Sequence, residues 1–300
     1  MDNISFASQL LQYLITGITI GSIYAMVAIG FNIIYNVTEI INFAQGEFVM
    51  LGGLVMATLG AFLGLPLFVT FPLTILVVTV IGLLLDSVAI RPIRQPSVLT
   101  LIMVTIAASI IIKGIAMFAW GKDPYDLPAF TGRVPIKFLG AVIQPQSLWV
   151  TGFLILVVIL LTLFFEKSLW GKAMSACANN PTAARLVGIK ARKMVMLSFA
   201  LSAGIGAVAG IVITPISLME YDRGMMLAVK GFGALVLGGL GSFPGAVLGG
   251  LILGAIESFG AGLISSAYKD AFALLVLLIV LFVKPSGLLG SIEVTKIKKF

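Results

Sequence analysis

A chain of 300 residues that is 60% hydrophobic and only 10% charged cannot bury its apolar surface in a soluble domain of this size. The composition predicts an all-α fold, a polytopic integral membrane bundle in which helices satisfy their own backbone hydrogen bonds. The chain has no histidine and a single cysteine, Cys177, which excludes a Cys/His metal site, an intrachain disulfide and a histidine base. We therefore expect no metal and no other cofactor.

Apolar stretches of about 20 residues, the length that crosses a bilayer as a helix, divide the first part of the chain. Gly17 and Gly21, in the first stretch, are spaced by four residues, so they share a helix face and let another helix approach closely. The interval 121–146 contains four prolines and is predicted to be a loop. The predicted spans are residues 10–35, 40–65, 66–90, 98–120 and 147–165.

Two further spans are predicted at residues 194–218 and 270–289, but the stretch 228–260 between them is too long for one crossing. It is interrupted by GGLGSFPG at 238–245, which predicts two short, glycine-rich segments that are broken or re-enter the membrane. The total is then about eight crossings, within a range of seven to nine. The glycines expected to pack against neighbouring helices here are Gly241, Gly245, Gly249, Gly250 and Gly254.

Lysine and arginine are distributed unevenly between the two sides of these spans. If residues 91–94, residues 166–193 and the C-terminal segment face the cytoplasm, that side holds twelve basic residues, Lys284 included, against five on the other. This bias predicts a cytoplasmic C-terminus and explains the net charge of +7 without a nucleic-acid partner. The basic residues on the opposite side are Lys122, Arg133, Lys137, Arg223 and Lys269.

The interval 166–193 is the longest basic segment, with six basic residues and one acid. Asn180 is a suitable N-cap, Pro181 suits the first helical position, and Gly188 can end the helix in a left-handed conformation. These signals predict a helix over 181–187 that is too short to be stable alone. Its small apolar surface predicts docking into a groove of a partner protein; the alternative is a basic loop that only fixes membrane orientation. The apolar residues are Ala183, Ala184, Leu186 and Val187.

Ionisable residues inside apolar stretches are costly and usually face a partner or a water-filled cavity. Glu47 is accompanied by Asn42 and Gln45, and we predict that this group, together with Lys230, lines a pathway for a polar solute. The alternative for Glu47 is an ion pair or a hydrogen-bond network between helices. Lys113 and Glu257 are expected to extend to the membrane surface or to pair with a neighbour.

Several function classes find no support in these residues. No G-x-x-x-x-G-K-[ST] motif is present, so the chain does not bind ATP by that route. We find no catalytic constellation and therefore no catalytic residues, and no filter sequence of an ion channel. A secondary transporter built from inverted repeats remains an alternative, with only faint similarity between residues 46–54 and 245–251.

Five blocks of sequence occur in a defined order: GSIYAMVAIG at 21–30, INFAQGEFVMLGG at 41–53, ANNPTAARLVGI at 178–189, VLGGLGSFPGAVLGG at 236–250, and YKD at 268–270 with KPSGLLG at 284–290. Together they resemble the permeases of branched-chain amino acid ABC importers, most closely the LivH type. The resemblance spans nearly the whole chain. Members of the family commonly carry histidine after Asn-Phe-Ala, whereas this chain has Gln45, so a protonatable group is not required there.

The resemblance implies a single transmembrane permease domain over residues 1–300, located in the bacterial inner (cytoplasmic) membrane. It implies import of leucine, isoleucine and valine by alternating access. The implied partners are a second, LivM-like permease subunit, two cytoplasmic ATP-binding subunits and a periplasmic substrate-binding protein, with membrane lipid around the spans. ATP hydrolysis then belongs to the separate subunits, and this chain is not an enzyme. Permeases for urea, short amides and other amino acids look similar, so the substrate stays open.

In such an importer, residues 166–193 form the cytoplasmic loop that couples the permease to the ATP-binding subunits. Closure of those subunits moves the short helix and opens the pathway to alternate sides, as a rigid-body switch between two packed states. The residues expected to carry this coupling are Asn180, Pro181, Ala183, Ala184, Arg185, Leu186, Val187 and Gly188.

The charge bias makes a topological prediction. After replacement of the native Cys177, the variants Lys172→Cys and Lys190→Cys should be shielded from an impermeant thiol reagent added outside intact cells, because both positions lie on the predicted cytoplasmic side. The measurement is labelling before and after permeabilisation. Labelling of both positions in intact cells would contradict the orientation.

Overall fold

The computed structural model describes residues 6–93 and 97–290, so Arg94 and the C-terminal Lys296, Lys298 and Lys299 lie outside the described residues. Within the described residues the chain forms eleven α-helices. They are α1 Phe6–Thr38, α2 Gln45–Ala57, α3 Leu67–Leu84, α4 Val98–Trp120, α5 Pro145–Lys167, α6 Leu169–Asn179, α7 Pro181–Leu186, α8 Ala191–Ile213, α9 Arg223–Gly238, α10 Phe243–Leu263 and α11 Lys269–Val283. Shorter elements are the π-helices Thr58–Phe62 and Leu85–Ile90, the 3-10 helix Ser266–Tyr268, and a hairpin of β1 Ile136–Phe138 and β2 Ala141–Ile143.

The predicted polytopic helical bundle is confirmed. Among the described residues, seven helical segments are long and apolar enough to cross a membrane. Helices α2 and α9 have only 13 and 16 residues. At about 1.5 Å per residue they reach about 20 and 24 Å, less than the roughly 30 Å hydrocarbon core of a bilayer. The seven segments are Phe6–Thr38, Leu67–Ile90, Val98–Trp120, Pro145–Lys167, Ala191–Ile213, Phe243–Leu263 and Ser266–Val283.

Helix α2 begins five residues later than the predicted span 40–65. Residues 40–44 are not helical and end in a turn, where the Asn42 side chain accepts a hydrogen bond from the Ala44 N–H at 3.1 Å. Such a local bond competes with the helical pattern, so the helix starts only at Gln45. Every residue of α2 is buried, which shows that this helix is surrounded by protein rather than by lipid.

The predicted interruption within 228–260 is observed, since α9 ends at Gly238 and α10 begins at Phe243. Gly241 lies in the turn between the two helices with φ of 86°, a left-handed conformation that favours glycine. Gly241 is therefore not part of a helix, and its predicted packing against a neighbouring helix stays a prediction. The predicted loop 121–146 contains the β1–β2 hairpin, whose strands pair antiparallel.

The contacts within the chain divide it into two compact units. The first unit consists of the described parts of residues 1–29, 128–154 and 229–300, and the second of residues 30–127 and 155–228. In the second unit, α2 packs against α3, α4 and α8. Its apolar core includes Phe48, Met50, Leu54, Val78 and Phe199, all of them buried. The expected single permease domain stays a prediction.

In the first unit, glycines allow helices to approach one another closely. A Cβ at Gly17 would lie 2.8 Å from the Ala255 Cα, and a Cβ at Gly21 would lie 2.8 Å from both the Gly250 O and the Leu251 Cα. Gly254 lies against the Gly21 backbone. Gly245 and Gly249 lie in the same way against the backbone of α9 at Gly238 and Ala234. Side chains at these positions would force the backbones apart.

A matched pair of glycine substitutions tests this packing. Gly21→Ala should lower the apparent Tm of the purified protein, because overpacking against a fixed backbone typically costs about 1 to 3 kcal/mol. Gly114→Ala is the control, since no heavy atom of the described chain outside its own helix backbone and its immediate neighbours lies within 4 Å of its Cβ position. The control should leave the apparent Tm unchanged or raise it, because glycine disfavours helix interiors. A loss of equal size in both variants would contradict the packing argument.

Candidate functional site

The predicted pathway residues Asn42, Gln45 and Glu47 lie together around the first turn of α2, in the second unit. All three are buried, with exposed fractions of 0%, 0% and 1%. The Gln45 amide bonds to α8: its Nε2 donates to the Ser202 O at 3.2 Å, and its Oε1 accepts from the Ser202 hydroxyl. Ser202 Oγ also lies 2.8 Å from the Gly30 O of α1. Gln45 is therefore fixed between two neighbouring helices.

Glu47 has one satisfied and one unsatisfied oxygen. Its Oε1 accepts a hydrogen bond from the Ser109 hydroxyl of α4 at 2.9 Å. Its Oε2 is buried and has no hydrogen-bond partner within the described residues. The backbone of α9 reaches this oxygen, because a Cβ at Gly224 would lie 2.6 Å from it. The bond to Ser109 fits the alternative of an interhelical network, whereas the second oxygen is left for another partner.

Asn42 repeats this pattern with the opposite polarity. Its Oδ1 accepts from the Ala44 N–H, but its buried Nδ2 has no partner in the described part of the chain. A buried polar atom without a hydrogen bond typically costs about 1 to 3 kcal/mol, and native structures contain few of them. The start of α2 therefore presents one unsatisfied donor and one unsatisfied acceptor, both suited to water or to a polar solute.

Lys113, on α4, lies close to an aromatic ring. Its ammonium lies 5.5 Å from the centroid of the Tyr221 ring, a cation–π distance. This contact agrees with the expectation that Lys113 pairs with a neighbour. Tyr221 was not singled out by the sequence, because pairing between distant segments leaves no local signal.

The fourth predicted pathway residue, Lys230, belongs to the first unit and is bound there by carboxylates. Its Nζ lies 2.7 Å from Glu257 Oε1 and 2.5 Å from Asp270 Oδ1. The Tyr24 hydroxyl donates to Glu257 Oε2 at 2.7 Å, so α1, α9, α10 and α11 meet in one network. Glu257 thus pairs with a neighbour, which was one of the two alternatives expected from the sequence. A pathway role for Lys230 stays a prediction.

Sequence reasoning assigned no role to Tyr24 and Asp270. A carboxylate in the first turn of an apolar helix was the available signal, because Asp270 is the second residue of α11, directly after Lys269. It could not be connected with Lys230 by spacing alone. The two residues are brought together by the fold of α9 to α11.

The short helix of the basic loop has the predicted local structure and ends at Leu186, one residue earlier than expected. Asn180 Oδ1 accepts from the N–H groups of Thr182 and Ala183 at 3.1 and 3.0 Å. Gly188 has φ of 87°, and the Ile189 N–H bonds to the Ala184 O at 3.0 Å. These bonds close both ends of α7 within the loop itself.

The surface of α7 is divided between one buried and several exposed apolar residues. Ala184 is buried, whereas Leu186 and Val187 are 84% and 76% exposed. Ala183 and the basic Arg185 are exposed as well. The predicted apolar surface is therefore split, with Ala184 facing the protein and the larger side chains available to a partner.

Helix α6 precedes α7 and is also capped locally, since the Ser168 Oγ accepts from the Gly171 N–H at 3.0 Å. Cys177 on this helix is buried. Burial raises the pKa of the Cys177 thiol, and the nearby Arg185 guanidinium offsets this only in part. The native thiol is thus protonated and shielded at neutral pH, which makes it a slow reactant.

Comparison with known proteins gives a consistent result. The sequence model of a family described as "Branched-chain amino acid transport system / permease component" matches residues 13–281. The high-affinity branched-chain amino acid transport system permease protein BraD of Pseudomonas aeruginosa is 35% identical and covers 96% of this chain and 98% of its own length. The high-affinity branched-chain amino acid transport system permease protein LivH of Escherichia coli is 34% identical, and the match covers 96% of this chain and 97% of LivH. A probable branched-chain amino acid transport permease protein of Methanocaldococcus jannaschii is 27% identical, and the match covers 93% of this chain and 91% of that protein.

The unsatisfied Glu47 oxygen makes a prediction about its role. Glu47→Ala should reduce solute transport more than it reduces the amount of folded protein, because besides the bond from Ser109 it removes an acceptor, Oε2, that no described residue uses. Ser109→Ala is the control, since it removes the hydrogen bond to Oε1 and leaves the carboxylate in place. Transport is measured per mole of folded protein, quantified by size-exclusion chromatography. Losses of transport and of folded protein in equal proportion would assign Glu47 to structure alone.

Proposed function

The chain belongs to the family of branched-chain amino acid transport system permease components, and from this we propose that it is the membrane-spanning subunit of an ATP-driven importer of leucine, isoleucine and valine. The observation that carries the proposal is similarity over nearly the full length to permeases described for these substrates. The chain is a multi-pass membrane protein. We place it in the bacterial inner membrane, with its C-terminus in the cytoplasm.

The proposed machine needs other subunits. A second, LivM-like permease chain completes the transmembrane pathway, two cytoplasmic ATP-binding subunits hydrolyse ATP, and a periplasmic binding protein delivers the substrate. This division of labour is supported by the absence of a phosphate-binding G-x-x-x-x-G-K-[ST] motif from the sequence. The chain itself then contributes a pathway and a mechanical connection, and no catalytic group.

The second unit offers a continuous route from the basic loop to the polar start of α2. Helix α7 packs against α6 and α8, and α8 packs along α2. The contact is tight, since a Cβ at Gly206 would lie 2.9 Å from the Phe48 Cβ. Ser202 of α8 bonds to Gln45, two residues before Glu47. In the proposed cycle, movement of α7 by the ATP-binding subunits displaces α8, which shifts the polar start of α2 between two packed arrangements.

Reconstitution into proteoliposomes tests the function. With the binding protein outside and ATP inside, the complex should accumulate leucine, and removal of ATP or of the binding protein should stop the uptake. Accumulation of urea or a short amide in place of leucine would replace the substrate but keep the mechanism. Uptake by the permease chains alone, driven by an ion gradient, would favour a secondary transporter.

The exposed end of α7 predicts where the ATP-binding subunits attach. Leu186→Asp should leave membrane insertion unchanged, because Leu186 is 84% exposed. In the complex, the new charge would be buried without a partner, which typically costs several kcal/mol and weakens an interface by orders of magnitude. We expect loss of the ATP-binding subunits on co-purification and no substrate-stimulated ATP hydrolysis.

Val134→Asp is the matched control for this variant. Val134 is 82% exposed and lies on the predicted outer side, so the same chemical change there should leave the complex intact. Retention of the ATP-binding subunits and full transport by Leu186→Asp would remove α7 from the coupling path. The basic loop would then serve only to fix membrane orientation.

A further inference from the structure

A cavity in the first unit lies beside the buried ion-pair network, since Glu257 is one of its lining residues. It has a volume of about 310 Å³, at the lower end of the range of roughly 300 to 1,000 Å³ that small-molecule sites occupy. Its walls come from the first turns of α1, the last turns of α10 and the residue that opens α11. The lining residues used below are Thr16, Ile20, Glu257, Ala261 and Lys269.

Glu257 is the most buried of these lining residues and gives the cavity a negative end. It is 3% exposed. Lys230 contacts its Oε1 and the Tyr24 hydroxyl its Oε2, yet a carboxylate offers about four acceptor sites, so each oxygen retains one. Lys230 is also shared with Asp270. One lysine and two carboxylates leave a formal charge of −1 on the network, which an additional cation at Glu257 would neutralise.

Lys269 gives the same cavity a positive end. Its side chain is exposed and makes no ion pair among the described residues, because the adjacent Asp270 is bound to Lys230. Ile20, Ala261 and Thr16 also line the cavity and add apolar surface and a hydroxyl group. The cavity thus combines an acceptor for an ammonium group, a donor for an anion and an apolar wall.

We propose that this cavity binds a zwitterion with a primary ammonium group, which contacts Glu257, and an anionic oxygen group, which contacts Lys269. Two sources carry this chemistry: a free aliphatic amino acid and the headgroup of phosphatidylethanolamine. For the amino acid, the inference rests on the proposed function, and it adds an entry site at the predicted outer ends of α1, α10 and α11. A substrate released by a binding protein would reach this side of the membrane first.

The test measures direct binding of radiolabelled leucine to the purified permease complex, without binding protein or ATP. The complex is held in nanodiscs of phosphatidylcholine and phosphatidylglycerol, so that no other primary-amine zwitterion is present. Lys269→Gln should weaken leucine binding about threefold to tenfold, the loss of one partly exposed charged contact. Ala261→Leu should abolish it by filling the cavity. Lys137→Gln is the matched control, because Lys137 is exposed on the same predicted side and is not among the residues that line the cavity. This variant should bind leucine as tightly as the wild type does.

A second arm examines the lipid. Native mass spectrometry of the complex from membranes that contain phosphatidylethanolamine should show this lipid retained by the wild type and by Lys137→Gln, and lost from Lys269→Gln and Ala261→Leu, if the headgroup is the ligand. Either pattern, for leucine or for the lipid, supports the site and identifies its source. If neither ligand responds to Lys269→Gln and Ala261→Leu, the cavity is not a zwitterion site.

Leucine uptake by proteoliposomes is measured in parallel, so that the two proposals can fail separately. Normal uptake by the wild type, together with unchanged binding in both cavity variants, overturns the entry site and leaves the importer intact. Absence of uptake by the wild type overturns the proposed importer. In that case, binding of phosphatidylethanolamine that depends on Lys269 and Ala261 would still establish the cavity as a lipid site.

Discussion

The close contact between α2 and α8 determines the geometry of the second unit. Gly206 and Gly210 on α8, and Gly52 on α2, leave no room for a side chain where the two backbones meet. Because the helices approach so closely, a helix of only 13 residues can be enclosed on all sides and need not meet lipid. This enclosure permits the backbone of residues 40–44 to be non-helical. Non-helical backbone at membrane depth is tolerated only where protein or a water-filled cavity covers it.

The polar residues at the start of α2 follow from this enclosure. Within a low-dielectric interior, a satisfied polar side chain rigidifies its surroundings, and an unsatisfied one is costly. Gln45 belongs to the first kind, since Ser202 supplies both a donor and an acceptor. Asn42 and Glu47 belong in part to the second, with one unsatisfied atom each in the described structure. The same turn thus holds a fixed contact to α8 beside atoms that are ready for another partner.

The first unit handles its intramembrane charges differently. Lys230, Glu257 and Asp270 lie on three separate helices, and the lysine contacts both carboxylates. Tyr24 adds α1 to the same network through its hydroxyl. A buried charge that loses its partner is strongly destabilising, so this arrangement fixes the positions of four helices relative to one another within the unit. It also leaves an excess negative charge beside a cavity.

The sequence by itself determined the features that depend on local chemistry. Hydropathy and length placed most of the spans, because a helix in lipid needs about 20 apolar residues, although the predicted span 40–65 holds the short, enclosed helix α2. Asn180, Pro181 and Gly188 defined α7 to within one residue, because caps act on backbone groups two to three positions away. The spacing of Gly17 and Gly21 implied that another helix approaches α1 closely, but it did not identify that helix as α10.

Only the tertiary structure decided which distant groups meet. Spacing along the chain cannot reveal that Lys230 joins Glu257 and Asp270, or that Gln45 joins Ser202 across 157 positions, because such pairs are selected by packing of whole helices. The same holds for the start of α2, where the Asn42 turn replaced five residues of a predicted span. The tertiary structure also decided how the surface of α7 is divided, with Ala184 buried and Leu186 exposed. The pattern of apolar residues alone does not show which side of a short helix the rest of the protein covers.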